Sequence, residues 1–239
     1  MNQLKKRHKN TRICDIMSGR FVVIEGGDCT GKTTQARYLI DKLKQAGKDV
    51  KVLDFPTYEK SLGGQTVTWY LEGKFGSLDE VPAEVASLCY ALDRYQFKFE
   101  NQKALDDGMI LIANRYTQSN IGHQGGKYEG KEREEFIKWI EDVERRMPQP
   151  DTVIYLDLPV AISQKLKDNR KGTKGAGAAD IHESNIQHLM DTRDCYLETA
   201  NKEDWIIIDC KDPEKDDIRS VEEIHQEIVE KLQKKGFDF

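Results

Sequence analysis

The residues Gly26-Gly27-Asp28-Cys29-Thr30-Gly31-Lys32-Thr33 follow the spacing G-x-x-x-x-G-K-[ST]. Glycines at those positions let a tight loop aim its backbone N–H groups at phosphate oxygens, and the following helix N-terminus adds partial positive charge. Lys32 is expected on the β- and γ-phosphates of a nucleoside triphosphate, and the Thr33 hydroxyl on Mg²⁺. Gly26, Gly27, Asp28, Cys29, Thr30, Gly31 and Thr34 complete the expected cradle. A second group with chemical potential is Asn114-Arg115-Tyr116-Thr117-Gln118-Ser119. Arg115 follows an apolar run and can hold two phosphoryl groups through its planar fork of donors. A surface ion pair is the alternative for it.

The elements that must position these groups are legible in the pattern. Phe21–Ile24, Val50–Asp54, Met109–Asn114, Thr152–Asp157 and Trp205–Asp209 are short, apolar and β-branched, as parallel strands covered on both faces should be. Helices are predicted from Lys32 toward Gly47, and over Pro82–Leu105, Glu132–Arg146, Val160–Asn169, His182–Asn201 and Val221–Lys234. Strands alternating with helices predict an α/β fold: a three-layer phosphate-loop NTPase fold with a five-stranded parallel sheet flanked by helices. Ligands of such sheets sit beyond the carboxyl ends of the strands. That singles out the loops Phe55–Gly63, Arg115–Gly126 and Asp209–Pro213.

The 239 residues suit one domain, here 18–239. Residues 1–17 carry Lys5, Lys6, Arg7, Lys9 and Arg12 with little to bury, and read as a disordered basic extension or as sequence before a natural start at Met17. A net charge of −5 gives no reason to expect a nucleic-acid partner. No apolar run approaches the ~20 residues of a membrane span. Five cysteines without paired spacing suit a reducing compartment, so a cytoplasmic location is expected.

Ile24-Glu25-Gly26-Gly27-Asp28-Cys29-Thr30-Gly31-Lys32-Thr33-Thr34-Gln35 resembles the phosphate loop of the thymidylate kinase family. Three further signatures occur in that family's order. Asp54-Phe55-Pro56-Thr57 is similar to its Phe-Pro element, and Ala91-Leu92-Asp93-Arg94-Tyr95 to the helical segment whose arginine approaches the base. Asn114-Arg115-Tyr116-Thr117-Gln118-Ser119 with His123-Gln124-Gly125-Gly126 is similar to its Asp-Arg-Tyr/His…Ser…Gln-Gly element. The resemblance runs from about Arg20 to the last helix. It implies phosphorylation of dTMP to dTDP by Mg·ATP, and homodimers paired through helices near the substrate site.

The resemblance also implies roles. Asp28 would bind the deoxyribose 3′-hydroxyl, Arg115 the acceptor phosphate, and Phe55 would stand at the substrate. Tyr90 would stack on thymine or serve as a core aromatic. Arg94 would meet the polar edge of the base or pair with a carboxylate. Ser119 and Gln124 would lie around base and sugar, and His123 beside the sugar 2′ position. Asn114 stands where the family usually has Asp, which puts metal assistance from that position in doubt. Thr57-Tyr58-Glu59-Lys60 lacks an arginine that some members have, with Lys60 a poorer substitute. Cys29 replaces an arginine found in some phosphate loops, and members lacking it draw the charge from a lid. Residues 170–182, with the Gly-rich stretch Gly172–Ala179, resemble that mobile lid. Arg170 would be its catalytic cation in preference to Lys171, which would contact ATP.

Two rivals remain open at this stage. A deoxynucleoside kinase would use Glu25 as its base, and another nucleoside monophosphate is an alternative acceptor. A non-catalytic nucleotide switch is the rival from another class.

Overall fold

The computed structural model describes residues 19–171 and 185–239, the side chains of Arg170 and Lys171 excepted. Its core element is β1 (Arg20–Gly26), where Phe21, Val22, Val23 and Ile24 are all buried. Alternate side chains of a strand point to opposite faces, and here both faces are covered. Val22 and Ile24 pack with Ala36, Leu39 and Leu43 of α1 (Lys32–Gln45) and with Ile224, Ile228 and Leu232 of α9 (Val221–Lys234). Phe21 and Val23 pack with Ala104 of α4 (Lys98–Asp106) and with Tyr196 and Ala200 of α8 (Ile186–Lys202). This is the expected three-layer arrangement.

The sheet adds β2 (Val50–Asp54), β3 (Ile110–Asn114), β4 (Thr152–Asp157) and β5 (Ile206–Asp209). All pairings are parallel, in the order β2-β3-β1-β4-β5. The sequence turns back on this order around β1, so the crevice beyond its carboxyl end is where a ligand belongs. Register decides what faces that crevice. Asn114 lies beside Ile24 on one side and Asp54 on the other, and Gly26 lies beside Leu156.

The remaining elements are α2 (Leu62–Leu71), α3 (Ala83–Tyr95), α5 (Gln118–Gly125), α6 (Gly130–Glu144) and α7 (Val160–Lys171). They correct three expectations. The single helix predicted over Pro82–Leu105 is two, α3 and α4, broken at Gln96–Phe97. There the Phe97 ring turns against Phe55, with centroids 6.0 Å apart.

Helices α2 and α5 occupy stretches expected to be loops or left unassigned. Their glycines hide the helical period but allow close approach. A Cβ on Gly63 would lie 2.4 Å from the Asp93 backbone, and one on Gly122 would lie 2.3 Å from the Tyr196 ring. Helix α6 starts two residues earlier than predicted and ends at Glu144. The basic stretch 1–17, and the residues beyond Lys171 expected to form a lid, fall outside the described residues. Among the described residues no helix is long and apolar enough to cross a membrane.

Candidate active site

The phosphate loop links β1 to α1, and its backbone requires the glycines it has. A Cβ on Gly26 would stand 2.8 Å from the Leu156 carbonyl oxygen and from Thr30 Oγ1, and Gly31 sits at φ +90° as the cap of α1. Cys29 adopts φ +58°, a left-handed conformation that costs a non-glycine residue energy and recurs at ligand-binding sites. Thr30 Oγ1 donates to the Gly27 carbonyl at 2.9 Å, tying the loop to itself. Lys32 Nζ donates to the same carbonyl at 2.6 Å. Burial, reinforced by the charge of Arg115, lowers the Lys32 ammonium from 10.5 to about 7. The lysine is held in place before any phosphate arrives.

A cavity of about 150 Å³ opens beside this loop. Seven residues predicted for the site line it: Asp28, Phe55, Tyr90, Arg94, Arg115, Ser119 and His123. They come from four separate segments: the phosphate loop, the β2–α2 loop, α3, and the β3–α5 region.

Arg115 is at φ +66°, its N–H bonded to the Ile24 carbonyl at the end of β3. Its Nη2 donates to Asp28 Oδ1 at 3.0 Å, and its Nη1 lies 3.0 Å from His123 Nε2. A guanidinium can only donate, so His123 Nε2 is the acceptor and the imidazole proton resides on Nδ1. Burial would raise the Asp28 carboxyl, but Arg115, Lys32 and Lys167 together hold it below its ordinary value.

Arg94 pairs with a carboxylate, one of its two sequence alternatives, and is also at the cavity wall. Its Nε and Nη2 donate to Glu144 Oε1 at 2.8 and 2.6 Å in a buried ion pair, while the residue lines the cavity. Asn120 donates to the other Glu144 oxygen at 3.3 Å. Tyr90 likewise lines the cavity and packs edge-on against Tyr70, with centroids 6.2 Å apart.

Gln124 is fully buried and does not line the cavity. Ser119 does line the cavity, but its hydroxyl donates to Glu25, at 3.0 and 2.8 Å from the two carboxylate oxygens. Lys60 does not line it.

The site's origin is decided by comparison with known proteins. The thymidylate kinase family profile matches residues 24–228. The chain belongs to the thymidylate kinase family. It is accordingly a nucleoside monophosphate kinase, a phosphotransferase that uses a nucleotide donor. Among its relatives is the thymidylate kinase of Plasmodium falciparum, 26% identical over 92% of either chain. A probable thymidylate kinase of Thermococcus onnurineus is 32% identical, covering 87% of this chain and 95% of its own length. The solved structure of thymidylate kinase from Candida albicans shares the fold, with a TM-score of 0.69 at 22% identity, over 91% of this chain and 92% of that one.

Asp93 and Lys167 had no role assigned from the sequence, and Glu25 had a different one. Asp93 receives the Thr57 N–H at 2.8 Å and the Ser61 hydroxyl at 2.7 Å, and so clamps the Phe55–Ser61 loop onto α3. Its place next to Arg94 was the only available signal. Lys167 of α7 is buried and acts electrostatically on Asp28, which puts a cation near the loop one turn before Arg170. Glu25 is wholly buried and accepts from the Tyr116 N–H at 2.8 Å, from Ser119, and from the Tyr196 hydroxyl at 2.9 Å. A carboxylate so occupied braces β1 against α8 and is not available as base for a nucleoside hydroxyl, which removes the footing of that rival.

Proposed function

We propose that the chain transfers the γ-phosphoryl of Mg·ATP to the 5′-phosphate of dTMP, giving dTDP and ADP. The observation that carries this reading is Arg115, ion-paired to Asp28 of the phosphate loop while lining the adjoining cavity. That contact joins the donor cradle to the acceptor pocket through two side chains.

In this reading Gly26, Gly27, Asp28, Cys29, Thr30, Gly31, Lys32, Thr33 and Thr34 surround the ATP phosphates. Lys32 neutralises the β and γ oxygens. Arg115 holds the acceptor phosphate, and Asp28 takes the sugar 3′-hydroxyl. Tyr90 and Phe55 supply apolar surface for the base, Arg94 faces its polar edge, and His123 fills the space beside C2′. An oxygen of the acceptor phosphate attacks the γ-phosphorus in line, and the bond to the β-bridging oxygen breaks. That oxygen is already anionic near neutral pH, so no general base is required. Arg170, at the end of α7, supplies the lid cation for the moving phosphoryl group, and Lys171 contacts ATP.

Mg²⁺ takes hard oxygen ligands and keeps several waters. The Thr33 hydroxyl, exposed at the start of α1, and the exposed Asp54 carboxylate nearby suit it. Held there, the ion would supply positive charge against the phosphate oxygens as negative charge develops.

We place the enzyme in the cytoplasm as a homodimer. Val85, Leu88, Leu92 and Tyr95 form an exposed apolar stripe along α3, next to the acceptor pocket, which supports pairing through that helix. The four described cysteines are free thiols, in keeping with a reducing compartment.

The test is ADP release at fixed ATP over dTMP, dUMP, dCMP, dGMP and the nucleoside thymidine. Preference for dTMP is expected. Turnover with thymidine but not with dTMP would overturn the reading.

A further inference from the structure

Resting on the Mg·ATP reading above, we propose that Asp54, at the end of β2, supplies the carboxylate of the metal shell at this active site. Residue 114 does not.

The argument starts from polarity. Asn114 Nδ2 lies 2.8 Å from Asp54 Oδ1 and 3.4 Å from Thr33 Oγ1. A carboxylate can only accept, so the amide must present its N–H₂ toward Asp54, and its orientation is fixed by chemistry. The Asn114 oxygen consequently points the other way. It is buried, with no hydrogen-bond partner among the described residues. An N–H₂ group facing Thr33 repels a cation, so Asn114 is not a ligand in this arrangement. It acts as a positioning residue.

What it positions is a negative charge. Asp54 and Asn114 are register partners on adjacent parallel strands, both at the carboxyl edge where the phosphate loop opens. The same amide nitrogen touches both the Asp54 carboxylate and the Thr33 hydroxyl. Asp54 is exposed, so solvent reaches its carboxylate. A carboxylate that shares an amide nitrogen with the hydroxyl ligand suits an ion that retains its waters, because a metal-bound water can donate to it. The acid stands on β2, and Asn114 of the neighbouring strand holds it there. An acid at 114 beside Asp54 would instead set two like charges face to face, which favours protonation of one.

The experiment measures metal affinity directly. Mn²⁺ is titrated into the full-length protein saturated with a non-hydrolysable ATP analogue, and free Mn²⁺ is read by electron paramagnetic resonance. Asp54→Asn is expected to weaken Mn²⁺ by about tenfold, in the range seen for residues that orient metal ligands. Affinity for the analogue in EDTA should stay unchanged, which also reports that the variant is folded. The double variant D54N/N114D returns an acid to the neighbouring strand and is expected to restore most of the lost affinity.

Wild-type Mn²⁺ affinity in D54N would overturn the proposal, as would a double variant no better than D54N. If the wild-type complex holds Mn²⁺ no more tightly than the analogue alone, the Mg·ATP reading itself fails. That outcome is distinct from failure of Asp54.

Discussion

The two halves of the active site are built on different principles. The donor half is one contiguous loop whose working atoms are backbone N–H groups, one lysine and a hydroxyl. The acceptor half gathers side chains from four segments and ties its cations in advance, Arg115 to Asp28 and Arg94 to Glu144. A backbone cradle needs only the right loop geometry. A pocket of charged side chains must settle their desolvation before substrate arrives, and a buried pair does so only with good geometry. The acceptor half is therefore the more fragile, and its lesions should separate binding from turnover.

The largest expected effect lies where the halves meet. Arg115→Ala should lower turnover with dTMP by about 10³-fold, the scale on which an arginine acts in phosphoryl transfer. Lys32→Ala should cost a similar factor but weaken ATP binding as well. Comparing ATP affinity in the two variants asks whether the division into halves is real.

Next in size is the stability of the acceptor half. Arg94→Ala leaves the Glu144 carboxylate buried without its partner and should destabilise the fold by about 3–5 kcal/mol, read by urea denaturation. Burial already pushes the Glu144 carboxyl up, and the arginine opposes that. R94A should therefore recover part of its loss as pH falls and Glu144 takes a proton. A loss independent of pH would show that packing, not charge, holds this region.

A smaller and more diagnostic effect belongs to the donor half. Lys32 is lowered to about 7 by burial, and phosphate oxygens should return it toward its ordinary value. ATP binding at pH 8 should therefore take up close to one proton, measured by calorimetry in buffers of different ionisation enthalpy. In the free protein the same shift makes this group's contribution to stability rise with pH between about 7 and 10.5, since the unfolded chain then binds more protons. ATP binding without proton uptake would mean the lysine is already charged and solvated.

The smallest effect tests the scaffold away from both halves. Ser220 and Glu223 cap α9 reciprocally, and Ser220→Ala should cost about 1 kcal/mol with catalysis intact.

The same contrast explains what was legible in the sequence. Strand–loop–helix order around Gly26–Thr33 could be read because backbone chemistry imposes local spacing. The five strands were legible because parallel strands covered on both faces must be continuously apolar. Helices α2 and α5 were not, since Gly63 and Gly122 serve close packing against Asp93 and Tyr196, and that packing erases hydrophobic periodicity. In the acceptor half, the family pattern pointed to Arg94, and the position after β3 pointed to Arg115. Neither could supply Glu144, fifty positions from Arg94, because a buried ion pair across the fold leaves no local trace. Nor does motif order say which face of α5 turns inward: Ser119 and His123 line the cavity and Gln124 does not.

The central claim is that Arg115 serves the acceptor and is not needed to hold ATP. The most direct test pairs two measurements on Arg115→Ala: the ATP dissociation constant, and the rate of dTMP-dependent ADP release. The account predicts ATP affinity within about threefold of wild type and turnover lower by about 10³-fold. Equal loss of both would contradict it and return Arg115 to the donor cradle.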